Sequence, residues 1–123
     1  MPRIMLRTLF LIVALVCSLS SASAKDAAFD SYWSDFKSAL TKNDKEAISS
    51  LTSLPFESYD GKLNKAQFIK YCDKLFPKKT RDCLVKQKPV ADKNNYCAFC
   101  GDEIFIFEKV KGKYVFTNIT PND

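Results

Sequence analysis

The sequence contains no histidine, and this absence excludes several kinds of active site. A Ser-His-Asp triad and a Cys-His pair both use imidazole as the general base, and many zinc sites use it as a ligand. A zinc site made of cysteines alone needs close pairs, and only Cys97 and Cys100 are close in sequence. We therefore expect no metal site and no cofactor.

The first 24 residues have the pattern of a secretory signal peptide. Arg3 and Arg7 give a basic start, an unbroken apolar run follows, and Ala22–Ala24 is a small-x-small cleavage site. Arg7 and the serine-rich end leave the apolar stretch short of a comfortable membrane span. We expect removal of residues 1–24 and export to the periplasm or outside the cell. The mature chain, residues 25–123, should then be a single domain with no membrane span.

The predicted mature chain has little excess charge of either sign. Without Arg3 and Arg7, 17 Lys and Arg residues stand against 14 Asp and Glu residues, a balance of +3. Nucleic-acid binding requires basic residues concentrated on one surface, with aromatic residues that stack on bases. The one local excess of basic residues, between positions 74 and 88, is typical of a solvated edge or loop. We expect no nucleic-acid partner.

Four cysteines remain after signal cleavage, and an even number in a small exported domain indicates two disulfides. The first expectation is the local pairing, Cys72 with Cys83 and Cys97 with Cys100, because it closes the shortest loops. The main alternative is a bridge from Cys83 to Cys97 or to Cys100. The Cys97-x-x-Cys100 motif lies in strand-like sequence with no helix to lower a thiol pKa, which favours a structural disulfide over redox catalysis.

The last third of the chain predicts a β-hairpin that is apolar on both faces. A turn at Lys111-Gly112 separates two apolar runs, Glu103 to Lys109 and Lys113 to Ile119. Strict alternation then sets the two faces. One face holds Phe105, Phe107, Tyr114 and Phe116, and the other holds Ile104, Ile106, Val115, Thr117 and Ile119. Each face needs a cover that shields it from water.

Apolar spacing predicts three helices ahead of this hairpin. The first covers residues 26–42, the second begins after the N-cap Asp44, and the third runs from the N-cap Asn64 to Pro77. The apolar stripe of the first helix is Phe29, Tyr32, Trp33, Phe36 and Leu40. Further short strands are expected at residues 83–88 and 96–100. The predicted fold class is α+β, with N-terminal helices packed on an antiparallel sheet of about four strands.

The chain shares a series of features with one known superfamily. They are the first helix with Phe29, Trp33 and Phe36, the polar step at Asn43-Asp44, the segment Leu54-Pro55-Phe56, Gly61 ahead of a helix with Phe68, and the closing Gly112–Phe116. In these features the mature chain resembles small exported members of the nuclear-transport-factor-2-like superfamily. The resemblance implies a curved sheet wrapped round the first helix as a cystatin-like cone. Many such proteins have a pocket at the open end, and many form dimers through the sheet.

Three aromatic residues with polar tips are candidates for lining such a pocket: Tyr32, Trp33 and Tyr59. The simpler interpretation of Trp33 and its helical neighbours is that they form the core. Asp30 or Asp35, beside the apolar stripe, would serve as a general base only if buried.

We expect an exported binding domain without catalytic activity. Its partner would be a small apolar ligand in the pocket, or a protein across the sheet, including a second copy of the chain. Three alternatives stay open. They are a small-molecule lyase or isomerase that uses pocket Asp and Tyr residues, a thiol oxidoreductase based on the Cys97-x-x-Cys100 motif, and a periplasmic inhibitor or immunity protein.

Overall fold

The computed structural model describes residues 27–123. The predicted signal peptide, residues 1–24, lies outside these residues. Residues Tyr32–Asp123 form one compact unit, and the side-chain contacts of the core, the cleft and the sheet lie within it. No helix in the described residues is long and apolar enough to cross a membrane.

Four helices and six strands make up the described part of the chain. The helices are α1 over residues 27–42, α2 at Lys45–Ser50, α3 at Lys65–Leu75 and α4 at Lys78–Val85. The strands are β1 at Phe56–Ser58, β2 at Gly61–Leu63, β3 at Val90–Asp92, β4 at Asn95–Cys100, β5 at Glu103–Val110 and β6 at Lys113–Pro121. β1 and β2 form a separate two-stranded ribbon, while β3, β4, β5 and β6 form an antiparallel sheet in that order. The predicted α+β class and the four-stranded sheet are confirmed.

Strands β5 and β6 form the predicted hairpin, with Val110 paired to Lys113. Lys111 and Gly112 both have positive φ, 52° and 81°, as a tight two-residue hairpin turn requires. The fully buried rings on one face are Phe105, Phe107 and Phe116. These rings lie on the face that the alternation predicted.

A β-bulge in β6 changes the face of one predicted residue. The register shifts between Ile106 and Phe107, which leaves Thr117 as an extra residue in β6. Beyond the bulge, Ile119 pairs with Phe105 and therefore shares its face. The prediction that Ile119 lies on the opposite face is wrong, because strict alternation allowed for no extra residue.

The core is a cluster of aromatic rings between the helices and the sheet. Phe36 of α1 is fully buried, and its ring centre lies 5.2 Å from that of Phe107 and 6.0 Å from that of Phe116. Phe76, which follows α3, lies 5.7 Å from Phe105 and 5.5 Å from Phe116. Aromatic pairs at these separations add specific attraction to the area they bury. Two helices therefore pack on the same face of the sheet.

Both predicted N-caps are present. The Asp44 carboxylate accepts a hydrogen bond of 3.1 Å from the backbone N–H of Ala47 at the start of α2. Asn64 and Gln67 form a capping box at α3, in which each side chain accepts from the backbone N–H of the other, at 2.9 and 2.8 Å. The capping box fixes where α3 begins, and the helix buries Phe68 and Cys72.

The segment after Pro77 is a helix, whereas the sequence predicted a strand at residues 83–88. Pro77 is the N-cap of α4, and Lys78 forms an ion pair of 2.7 Å with Asp82 one turn later. Leu84 is fully buried in the last turn of this helix. The strand prediction is wrong because its alternation is only a few residues long, and such a short run does not distinguish a strand from the end of an amphipathic helix.

Candidate functional site

Tyr32 and Trp33, two of the three predicted pocket residues, lie in the aromatic core and are 8% and 6% exposed. The Tyr32 hydroxyl donates a hydrogen bond of 2.8 Å to the carbonyl oxygen of Leu51, and burial raises the pKa of Tyr32. The ring of Trp33 lies 5.4 Å from that of Phe107 in an edge contact. These contacts give both side chains a packing role.

Tyr59, the third candidate, is 83% exposed and lies at a cleft of about 350 Å³. The cleft opens between the β1–β2 ribbon, helix α3 and the sheet. It is lined by Phe56, Glu57, Ser58 and Tyr59 from β1 and the turn after it, by Tyr71, Lys74 and Leu75 from α3, and by Glu103, Asn118 and Ile119 from β5 and β6. Sites for small molecules occupy roughly 300–1,000 Å³, so the cleft has room for a small ligand.

Two polar side chains of α3 in the cleft have fixed partners. The Tyr71 hydroxyl donates a hydrogen bond of 2.7 Å to the carboxylate of Asp60, and this bond is the main reason that the pKa of Tyr71 is raised. The Lys74 ammonium lies 5.3 Å from the centre of the Tyr71 ring, a cation–π contact. Among residues 27–123, the ion pairs do not involve Glu57 or Glu103. The lining holds two carboxylates, Glu57 and Glu103, against one ammonium, Lys74, and is therefore acidic overall.

The second candidate surface is the face of the four-stranded sheet opposite the aromatic core. We call it the outer face and define it by six side chains: Val90, Cys97, Phe99, Ile104, Ile106 and Val115. Cys97 is at its centre, with Val90 of β3 and Ile106 of β5 as its partners across the strands. Val90 and Phe99 are 56% and 43% exposed. The outer face therefore has an apolar centre that meets solvent, bordered on β6 by the polar Asn118 and Thr120, which pair with Ile106 and Ile104.

Charged residues share the outer face at one end only. By register these are Asp92 beside Asn95, Glu108 beside Val115, and Lys113 at the turn. The Glu108 carboxylate accepts a hydrogen bond of 2.6 Å from the hydroxyl of Thr117, the bulge residue. This carboxylate already accepts a hydrogen bond from its own sheet, so it does not need a cation from a partner protein to satisfy it.

The cysteine pairing differs from the first expectation. Cys83 of α4 is disulfide-bonded to Cys100 of β4, with 6.0 Å between the Cα atoms, while Cys72 and Cys97 are free thiols. The predicted local pairing is therefore wrong, and the alternative bridge from Cys83 to Cys100 is present. Cys97 and Cys100 are three residues apart in a strand, so they project from opposite faces of the sheet and cannot bond to each other there.

Neither free thiol has the environment of a redox catalyst. Burial is the main cause that raises the pKa of Cys72 to about 11. Burial, with a smaller contribution from Asp92, also raises the pKa of Cys97. An attacking cysteine needs a lowered pKa, and Cys97 has no second free thiol beside it because Cys100 is bonded. These observations count against the oxidoreductase alternative.

The described residues also offer little for the lyase or isomerase alternative. Asp30 and Asp35 are both exposed on α1, so the burial that a general base would need there is absent. Residues 27–123 contain no group of three or more His, Cys, Asp and Glu side chains placed to hold a metal ion.

The sequence pattern indicated Tyr59 but not the other residues that complete the cleft and the outer face. Tyr71 and Lys74 lie off the apolar stripe of α3, which is the only feature that the helical period reveals. The shared face of Cys97 and Phe99 could have been predicted, because strict alternation in β4 places both on the face opposite Ala98 and Cys100.

Comparisons with protein-family models, with curated proteins and with solved structures found no match to this chain. The cleft and the outer face are therefore the features of residues 27–123 that bear on function.

Proposed function

We propose that this chain is an exported, non-catalytic interaction domain that associates with a second copy of itself through the outer face. The observation that carries the proposal is the two-sided apolar sheet. Its inner face is filled by the aromatic rings of α1 and by Phe76 at the end of α3. Its outer face presents six apolar side chains, including Val90 and Phe99 at 56% and 43% exposure. An antiparallel sheet with one solvated face normally alternates apolar with polar residues. Here the second face is apolar across its centre and becomes polar at Asn118 and Thr120 of β6 and at its charged end.

A second copy is the partner that this surface favours. Val90, Cys97 and Ile106 at the centre of the outer face carry no formal charge, and of the two carboxylates at its end Glu108 is bonded to Thr117. The face therefore fits a flat, apolar and uncharged surface, and an identical outer face has those properties. Two such sheets pack face to face at about 10 Å with interdigitated side chains. A two-fold symmetric pair uses the same patch on both copies, so no second complementary surface is needed.

The size of the outer face indicates a weak dimer. Four strands spaced at about 4.8 Å and averaging about 20 Å in length cover about 400 Å² per copy. Two copies would bury about 800 Å², which is less than the roughly 1,200–2,000 Å² of stable interfaces and in the range of weak, transient association. We therefore expect dissociation in the micromolar range, with monomer at high dilution.

The disulfide supports the exported location, because such bonds persist in oxidising compartments and are rare in the cytosol. Membership of the nuclear-transport-factor-2-like superfamily is part of the same proposal. Helices that precede an antiparallel sheet of four strands are in keeping with it.

Sedimentation equilibrium across a range from low micromolar to several hundred micromolar protein tests the dimer. We expect reversible association in the native chain and a monomer throughout for Ile106→Lys, which places a charge at the centre of the outer face. Ala66→Lys is the matched control, because it adds the same charge at an exposed position on α3. A native chain that stays monomeric over the whole range would refute the proposal.

Alkylation of Cys97 gives a second readout of the same contact. Cys97 lies at the centre of the outer face, so a bound copy should slow its reaction with iodoacetamide as the protein concentration rises. Ile106→Lys should remove this concentration dependence, and Ala66→Lys should keep it. Equal protection in both variants would mean that the surface is not the contact.

A further inference from the structure

The cleft at Tyr59 has the construction of a small-molecule site that is separate from the outer face. Its floor is apolar, with Phe56 2% exposed and Leu75 and Ile119 partly buried. Ile119 reaches this floor only because the bulge at Thr117 places it on the inner face of the sheet. The volume of about 350 Å³ suits a ligand with one short apolar or aromatic body.

Aromatic rings form the walls above this floor. Tyr71 is held by its hydrogen bond of 2.7 Å to Asp60, so one wall is fixed before any ligand arrives. Tyr59 is 83% exposed, so its ring is accessible for contact with a ligand. Aromatic faces attract cations, and the contact of 5.3 Å between Lys74 and the Tyr71 ring is an example within the cleft itself.

The charged side chains that line the cleft favour a ligand of positive charge. Glu57 and Glu103 line the cleft against one lysine, Lys74. In the described residues neither glutamate forms an ion pair, whereas the ammonium of Lys74 lies over the Tyr71 ring. An anion would meet two carboxylates, while a cation would meet these carboxylates together with aromatic faces.

We infer that this cleft binds a small amphipathic organic cation, namely an ammonium group carried on a short apolar or aromatic body. The ammonium lies toward Glu57 and Glu103, and the apolar body rests on Phe56, Leu75 and Ile119. This inference does not depend on the dimer proposed above, because none of the six side chains that define the outer face lines the cleft. The two surfaces border each other at Asn118, which lines the cleft and pairs with Ile106.

Three probes of similar shape and different charge test the inference. They are 2-phenylethylammonium, 2-phenylethanol and 3-phenylpropanoate, each titrated against the labelled protein with backbone amide NMR shifts as the readout. We expect the ammonium probe to shift the resonances of Tyr59, Tyr71 and Glu103, with an affinity that falls as salt is added. The alcohol should bind about tenfold more weakly, which corresponds to the loss of one charged contact. Tighter binding of the carboxylate, or no shift in the cleft with any probe, would overturn the inference.

Variants locate the charge that is responsible. Glu57→Gln and Glu103→Gln should each weaken the ammonium probe by several-fold up to about tenfold, and Lys74→Gln should leave its affinity unchanged or higher. Asp35→Asn is the matched control, because it removes an exposed carboxylate outside the cleft. Loss of binding in Lys74→Gln with no effect of either glutamate variant would refute the assignment.

The same titration in the Ile106→Lys background separates the two proposals. Unchanged ammonium binding there, together with a monomeric protein, is the expected result. Failure of the dimer would leave the cleft result standing, and failure of the cleft would leave the sedimentation result standing.

Discussion

Cys83 and Cys100 join helix α4 to the inner face of strand β4 through a disulfide that spans 17 positions of the sequence. Cys100 is 7% exposed, and the neighbouring inner-face residue Ala98 is 1% exposed. The bond therefore lies at the boundary of the core and holds a short helix against the sheet.

Removal of this disulfide should destabilise the domain by about 3 kcal/mol, because a loop of this length loses about that much closure entropy in the unfolded chain. Urea unfolding of Cys83→Ala/Cys100→Ala against the native chain measures the difference. Cys97→Ala is the control and should change the free energy of unfolding much less. A native chain that is equally stable with and without reductant would contradict this expectation.

Phe36→Ala should cost about 3 to 5 kcal/mol in the free energy of unfolding, the usual range for truncating a buried phenylalanine. Phe36 is fully buried against Phe107, Phe76 and Phe116, with ring centres 5.2 to 6.1 Å apart. Tyr59→Ala removes an aromatic ring that is 83% exposed and should change stability by under about 0.5 kcal/mol. Denaturant unfolding measures the free energy of unfolding of both variants. A similar decrease in the two would show that Phe36 is not part of the core.

Asn64→Ala should cost about 1 kcal/mol, because it removes the side-chain acceptor for the backbone N–H of Gln67 at the start of α3. Asn64→Asp keeps an acceptor at the same position and should retain most of the stability. Thermal unfolding followed by circular dichroism measures both variants. An alanine variant as stable as the aspartate variant would show that the capping box contributes nothing measurable.

The free energy of unfolding should decline as the pH rises from about 9 to about 11. The Cys72 thiol ionises near 9.0 in an unfolded chain, whereas in the folded protein burial raises its pKa to about 11. The folded state holds this proton longer, so the stabilising contribution is complete below about pH 9 and is lost as the pH rises through the folded value. Tyr32 adds a decline of the same sign at higher pH, because its pKa is also raised by burial.

Cys72→Ala should flatten this dependence between about pH 9 and about pH 11. Urea unfolding at several pH values, in a Cys97→Ala background that removes the more exposed thiol, measures the slope. An identical slope with and without Cys72 would mean that its thiol is solvated.

Much of the fold was predictable because local chemistry and packing agree. The two-residue turn at Lys111-Gly112, the cap at Asn64 and the spacing from Phe29 to Leu40 each point to the element that is present. The inner faces of β5 and β6 followed from alternation as far as Phe116.

The errors share a cause, which is that local patterns do not encode long-range geometry. No local pattern around Thr117 predicts the bulge that places Ile119 on the inner face. The residues after Pro77 alternate briefly and yet end a helix. The pairing of Cys83 with Cys100 depends on where α4 lies against β4, and loop length alone does not supply that information.

The cleft was only partly predictable for a similar reason. Tyr59 follows β1, Tyr71 lies on α3 and Glu103 begins β5, so their meeting depends on the tertiary arrangement. Tyr32 and Trp33 were candidates on residue type alone, and their positions on the helical stripe were the better guide to their burial.

The opposite orientations of Cys97 and Cys100 in β4 bear on how the protein acquires its correct cross-link. A chain oxidised while β4 is still unpaired offers Cys83 both thiols of the motif, and either choice closes a loop of similar size. Once β4 has paired with β5, one thiol faces the helix and the other faces away. Assembly of the sheet before oxidation therefore selects Cys100 as the partner of Cys83. A bond formed earlier to Cys97 would have to exchange with the Cys100 thiol, or be reduced, before the strand could take its place.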